Sequence, residues 1–111
     1  MKKEGFAKTI RVKKESEFKR IIEKGAKRTG DNLIVFRLRS DDDGGQRFGI
    51  RIPRGIRHAA QRNRIKRVIR ETLRKNKGRF ARNESVLVVC RSSALGVGAD
   101  KLKEDLERLF T

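Results

Sequence analysis

The sequence predicts a single α+β domain in which a small mixed β-sheet packs with about three helices. Three observations predict it. The chain has 111 residues, the size of one domain. Three segments space their apolar residues as helices do, and three others are rich in β-branched and aromatic residues. No repeat, linker or low-complexity tract separates them, so they share one core. A chain of this length buries roughly two thirds of its unfolded surface. Its 35% apolar residues, mainly Ile, Leu and Val with six Phe, must supply that core.

Residues 1–14 are basic and weakly patterned and read as an arm. In "ESEFKRIIEKG", Phe18, Ile21 and Ile22 fall at i, i+3 and i+4, a helical stripe. Ser16 suits the N-cap, and Gly25 a left-handed position after the last turn. "NLIVFRLRS" reads as a strand, with Leu33, Val35 and Arg37 on one face and Ile34, Phe36 and Leu38 on the other. "DDDGGQ" is a turn signal. "RFGIRIP" alternates, with Phe48, Ile50 and Ile52 opposite Arg47, Gly49 and Arg51. The two strands read as an antiparallel hairpin, which Pro53 ends because it lacks a ladder donor. A basic connection, "RGIRH", leads to a helix running to about Lys75, with Gly78 past its end. "SVLVVCR" is a strand, "SSALGVGA" a loop, and Asp100 a candidate N-cap. Leu102, Leu106, Leu109 and Phe110 then form the stripe of a last helix. The expected order is helix, strand, strand, helix, strand, helix.

Charge narrows the function. Lys and Arg number 31 against 14 Asp and Glu, a net charge of +17. Such a charge repels itself in the compact state, and a polyanionic partner relieves it. Nucleic acid fits better than an anionic membrane. A solvated thermophile surface would balance Lys with Glu, and this one does not. The lone Cys90 excludes an intrachain disulfide and, in its apolar strand, reads as an inert packed thiol. The single His58 excludes a multi-His metal site. No apolar run nears membrane-spanning length, and "MKKEGFAKTIR" lacks the apolar stretch of a signal peptide. The expectation is a cytoplasmic protein.

The segment "HAAQRNRIKRVIRE" concentrates the charge. On a helical wheel, Ile65, Val68, Ile69, Thr72 and Leu73 share one arc. Asn63, Lys66, Arg67, Arg70 and Arg74 share the opposite arc, with Arg64 and Glu71 flanking and Arg62 nearer the apolar edge. One face packs; the other displays guanidinium forks suited to bidentate pairing with phosphate. Like charges at i+3 and i+4 repel, so a merely solvated face is a poor account of them. No helix-turn-helix pattern precedes the segment, which favours RNA over a DNA groove.

At "AAQRNRIKRVIRE" the chain resembles the bacterial ribonuclease P protein subunit family. The Arg-Asn-Arg core, the following Ile-Lys-Arg and the order of elements from about Lys8 to Phe110 carry the resemblance. It implies a ribonuclease P protein-like fold, related to a ribosomal-protein domain fold, with a left-handed βαβ crossover between the last two strands. It also implies a ribonucleoprotein endoribonuclease that removes the 5′ leader from precursor tRNA. The partner is then a large catalytic RNA that binds the Mg2+ ions and does the chemistry, and no obligate protein partner is expected. Two surfaces carry over. Arg62, Asn63, Arg64, Lys66, Arg67, Arg70 and Arg74 would face the catalytic RNA. Phe18, Ile22, Ile34 and Phe36, with Arg51 and Arg54, would line a cleft for the single-stranded leader, where aromatic faces can stack on bases. Phe18 and Phe36 read nearly as well as core. Ile22 departs from an often aromatic position, and "RIPRGIR" from the usual strand end.

No Asp, Glu and His cluster suits two-metal hydrolysis, so no catalytic side chain and no protein-bound metal is expected. "DDD" at 41–43 reads as a solvated turn. The alternative function is a ribosomal or assembly protein that coats structured RNA without a catalytic partner.

Overall fold

The computed structural model describes residues 15–40, 45–53 and 58–110; the basic arm, the acidic part of the turn at 41–44 and the connection at 54–57 lie outside them. Three α-helices and a four-stranded mixed sheet make up the described chain: α1 (Glu15–Lys24), β1 (Ala26–Thr29), β2 (Leu33–Arg39), β3 (Arg47–Arg51), α2 (Ala59–Lys75), β4 (Glu84–Cys90) and α3 (Ala99–Arg108). Short 3-10 turns follow α2 and β4, at Lys77–Arg79 and Ser92–Gly96.

The sheet runs β1-β2-β4-β3. β1 and β4 both pair antiparallel with β2, and β3 pairs parallel with β4. The expected β2–β3 hairpin is therefore wrong: β4 lies between them. The reason is burial. β4 is apolar on both faces, so it belongs inside the sheet, where both faces are covered. β3 carries Arg47 and Arg51 on one face and fits an edge, where long side chains reach solvent. A parallel neighbour requires a crossover, and α2 supplies it.

Alternation sorts the side chains as expected. Leu33, Val35, Phe48, Val86, Val88 and Cys90 face α2 and α3, meeting Ile65, Ile69, Leu73, Leu102, Leu106, Leu109 and Phe110 in the main core. Ile34, Phe36, Leu38, Leu87 and Val89 face α1, where Phe18 and Ile21 complete a smaller core.

Three local expectations change. Ser16 lies within α1, not at its cap. Gly98, not Asp100, precedes the first turn of α3, and Asp100 sits in that turn, where its charge still favours the helix dipole. Among the described residues only Gly45 has a positive φ, at 84°. Gly25 is therefore needed for space: a Cβ there would lie 2.5 Å from the Ile21 carbonyl oxygen and 3.0 Å from that of Arg37. β1 has no counterpart in the expected order. Its "AKRT" is exposed throughout and carries no apolar signal.

Candidate nucleic-acid interface

α2 is 17 residues long, and Ile65, Ile69, Thr72 and Leu73 are its buried side. Each buried aliphatic side chain contributes about 2 kcal/mol. Like-charge repulsion at i,i+4 costs only a few tenths per pair. The stripe therefore wins, and the helix forms despite its charge. Thr72 Oγ1 donates to the Val68 carbonyl at 2.7 Å, which satisfies the one buried hydroxyl in the stripe. Asn76 closes the C-terminal end: its Nδ2 donates to the Thr72 carbonyl at 2.7 Å and to Glu107 Oε2 of α3 at 3.1 Å.

The outer side holds the predicted cations. Asn63, Arg67 and Arg70 are exposed, and Lys66 and Arg74 half-buried. Arg74 donates to Glu71 Oε1 at 2.8 Å, and this bond, with the nearby cations, holds the Glu71 carboxyl below its ordinary range. Arg62 is half-buried, as its place on the wheel implies. Arg64 is exposed and turns aside, donating to the Val97 carbonyl at 3.3 Å. The first turn of α2 has no acidic residue, and the N-cap His58 makes no side-chain capping bond. Cations beside the positive end of a helix dipole are unfavourable unless an anion joins them.

The second predicted surface lies between α1 and the sheet. Strand register places Thr29, Ile34, Val89 and Arg51 in one row across its α1 face. Ile34 and Val89 are only half-buried, and Ile22, next in sequence to the buried Ile21, is 37% exposed. The Arg51 guanidinium lies 4.9 Å from the Phe18 ring centroid and pairs with Glu15; Arg47 pairs with Glu17. Phe36, 6% exposed, is floor, and Lys27 Nζ stands 5.9 Å from its ring centroid. On the other side of α1, Glu17, Arg20, Leu38, Arg47 and Ser85 line a pocket of only about 40 Å3, room for a few waters. The open part is thus the row through Ile34 and Val89. Arg54 lies outside the described residues. Sequence reasoning does not find Val89 or Lys27. Val89 reads as ordinary strand core, and Lys27 sits on the unexpected β1.

Burial pushes the Cys90 thiol up to about 12, so it stays protonated and unreactive. Among the described residues no three His, Cys, Asp or Glu side chains gather to hold a metal. No helix among them is long and apolar enough to cross a membrane.

A packed sheet, a rigid helix with one cationic side and a separate half-open cleft define a polyanion-binding protein of the RNA-binding kind. The family model of ribonuclease P matches residues 6–111, and the chain belongs to that family. The ribonuclease P protein component of Exiguobacterium sibiricum is 28% identical over 103 residues, covering 93% of this chain and 89% of the relative. Its counterpart in Bacillus cereus strain B4264 is 26% identical over 100 residues, covering 90% and 87%. The Staphylococcus aureus RNase P protein structure superimposes with a TM-score of 0.81 at 28% identity, covering 90% of this chain and 91% of the other. The Thermotoga maritima RNase P protein gives 0.77 at 26% identity, covering 90% and 94%.

Proposed function

We propose that this chain is the protein subunit of a ribonucleoprotein endoribonuclease that removes the 5′ leader from precursor tRNA. A large catalytic RNA docks on the outer side of α2, through Asn63, Lys66, Arg67, Arg70 and Arg74, with Arg62 and Arg64 at its N-terminal end. The leader lies in the half-open row between α1 and the sheet, over Ile34 and Val89, with Arg51 at its edge. The observation that carries the reading is α2 itself: cations held in a fixed array by a buried stripe on a chain of this family. Preorganised forks lose little entropy on meeting phosphate.

In this reading the RNA holds the Mg2+ ions and cleaves the phosphodiester bond. Among the described carboxylates, Glu15, Glu17, Glu71 and Glu84 each face an arginine. The protein contributes by neutralising phosphates and by binding substrate ahead of the cleavage point.

The test is cleavage of a 5′-labelled precursor tRNA at low Mg2+, with protein alone, the family's catalytic RNA alone, and both. We expect efficient cleavage only in the mixture, lost on replacing Arg62, Arg64 and Arg67 with Ala. Binding to the RNA without any gain in cleavage would instead mark a general structured-RNA-binding protein. Cleavage by protein alone would mean that the chain carries its own active site.

A further inference from the structure

The turn after α2 carries cations that neither surface above uses. Lys77, Gly78 and Arg82 line an open groove of about 600 Å3 together with Gln46, Phe48 and Phe80. Arg79 stands exposed in the same turn. The turn is held from inside. Gln46 Nε2 donates to the carbonyls of Lys77 at 3.0 Å, Phe80 at 3.2 Å and Ala81 at 3.2 Å. Arg37 Nη2 donates to the Arg79 carbonyl at 3.2 Å. Four main-chain carbonyls, which would repel an anion, are thereby occupied. Arg79 and Arg82 remain exposed and form no ion pair among the described residues.

The groove is remote from the cleft. It opens at the start of β3 and β4, whereas Arg51 and Val89 lie near their ends, about 13 Å away at strand rise. Arg62 stands at the far end of α2, whose 17 residues span about 25 Å, and only Arg74 of the α2 surface stands near the groove.

Its chemistry differs as well. Phe48 is 3% and Phe80 6% exposed. The two rings meet edge-on at 5.8 Å, Phe80 meets Phe110 at 5.0 Å, and the Arg37 guanidinium covers Phe80 at 4.9 Å. No aromatic face is left for an unpaired base. Single-stranded nucleic acid is held largely by such stacking. Helical RNA is held through phosphates and 2′-hydroxyls, which need only charge and donors. Space above Gly78 is open, with nothing within 4 Å of where a Cβ would stand, so a backbone can approach closely.

We infer that this groove and the turn beside it form a second docking site for the phosphate backbone of helical RNA, with Arg82 of the lining and the exposed Arg79 of the same turn as its anion-binding groups and Gln46 as the residue that positions them. The inference rests on RNA being the partner, but not on which RNA or on cleavage. It gives the full chain two cationic surfaces, the outer side of α2 and the turn beyond its C-terminal end, so that one RNA fold is gripped twice.

The experiment titrates the full-length protein with a 12-base-pair RNA hairpin and, separately, with a 12-nucleotide single strand. Replacing Arg79 and Arg82 with Ala should weaken hairpin binding on the order of tenfold and flatten its log-log salt slope by roughly 2, one for each phosphate left without its arginine. Single-strand binding should change less than about twofold on the same argument. Gln46→Ala should weaken hairpin binding while leaving the salt slope steeper than in the double variant, because the charges persist but are misplaced. Backbone amide shifts on adding hairpin to the unaltered protein should include Gly78. Unchanged hairpin binding in the Arg79→Ala/Arg82→Ala variant, or shifts confined to the first turns of α2 and to α1, overturns the inference. A parallel Arg67→Ala/Arg70→Ala variant separates the two readings: weaker binding there alone leaves the α2 interface standing without the groove, and unchanged binding in both variants removes both.

Discussion

Arg37 shows how much one side chain can fix. It sits on a core-facing position of β2, where a strand pattern asks for an apolar residue. Its Nε and Nη2 donate to Glu84 Oε2 at 2.7 Å and Oε1 at 3.1 Å, its Nη1 to the Phe110 carbonyl at 3.0 Å and its Nη2 also to the Arg79 carbonyl. The pair thus ties β2 to the start of β4, to the turn after α2 and to the end of α3. Burial alone would push the Glu84 carboxyl up. The Arg37 hydrogen bonds, the Ala81 N–H and the charges of Arg37 and Arg39 outweigh it, so the carboxyl ionises below its ordinary range. The unfolded chain therefore binds this proton more readily than the folded one. The stability from the pair is complete above the unfolded value, near pH 4.3, and is lost as pH falls through the folded value. Glu84→Gln should cost about 2–3 kcal/mol at pH 7, since one partner of a buried pair is left behind. Denaturant melts at pH 7 and pH 3.5 check this. The gap between the two proteins should narrow at the lower pH, and a constant gap would show that the carboxylate charge is not what matters.

Among the elements, α1 depends on its exit. The chain leaves the helix at Lys24 and enters β1 at Ala26, with Gly25 as the only link. Gly25 N–H donates to the Ile21 carbonyl at 2.8 Å, and the Arg37 carbonyl presses from the other side. Both obstacles are main chain and cannot swing away. Gly25→Ala should therefore cost about 1–3 kcal/mol, as overpacking does, instead of gaining the few tenths that such a change brings at a permissive site. Because the strain falls on the α1–β1 joint, hydrogen exchange should quicken in α1 more than in α2. Equal protection of both helices in the variant would contradict that placement. α2 behaves differently. Its stripe fixes it against the main core, so changes on its outer side should alter binding with little effect on folding.

At the scale of the whole molecule, charge is the main uncompensated force. A net charge of +17 on 111 residues opposes compaction, and the pairs Arg47–Glu17, Arg51–Glu15, Arg74–Glu71 and Lys101–Asp105 are at least partly exposed and offset little of it. An anion that binds the folded state should stabilise it by mass action. Sulfate at about 50 mM should raise the Tm by several degrees over sodium chloride of equal ionic strength, on the scale of about 4 °C per kcal/mol for a domain of this size. Thermal scans with both salts decide between site binding and screening. Equal Tm values would assign the effect to screening alone, and the Arg67→Ala/Arg70→Ala variant should lose most of the difference.

Much of this was legible in the residues. Apolar spacing located α2 and α3, alternation sorted β2 and β3 into faces, and an unbalanced charge pointed to a polyanion. These are local signals, because burying one side of a helix or strand leaves a period in the sequence. The Arg-Asn-Arg segment made the family recognisable for the same reason: its cations and its stripe lie on one helix. Other features left no such trace. β1 is held by main-chain bonds to β2 and exposes every side chain, so its composition carries no period. The place of β4 between β2 and β3 depends on comparing the apolar faces of strands far apart in the chain. Gly25 is required by the carbonyl of Arg37, twelve residues on. The cleft's open row, with Val89 beside Ile34, exists only once register sets them side by side. The sequence by itself determined which surfaces must be buried and that the remainder is cationic. Only the tertiary structure decided which strands are neighbours, and hence where half-buried positions and unpaired cations gather, because those depend on contacts that local spacing does not encode.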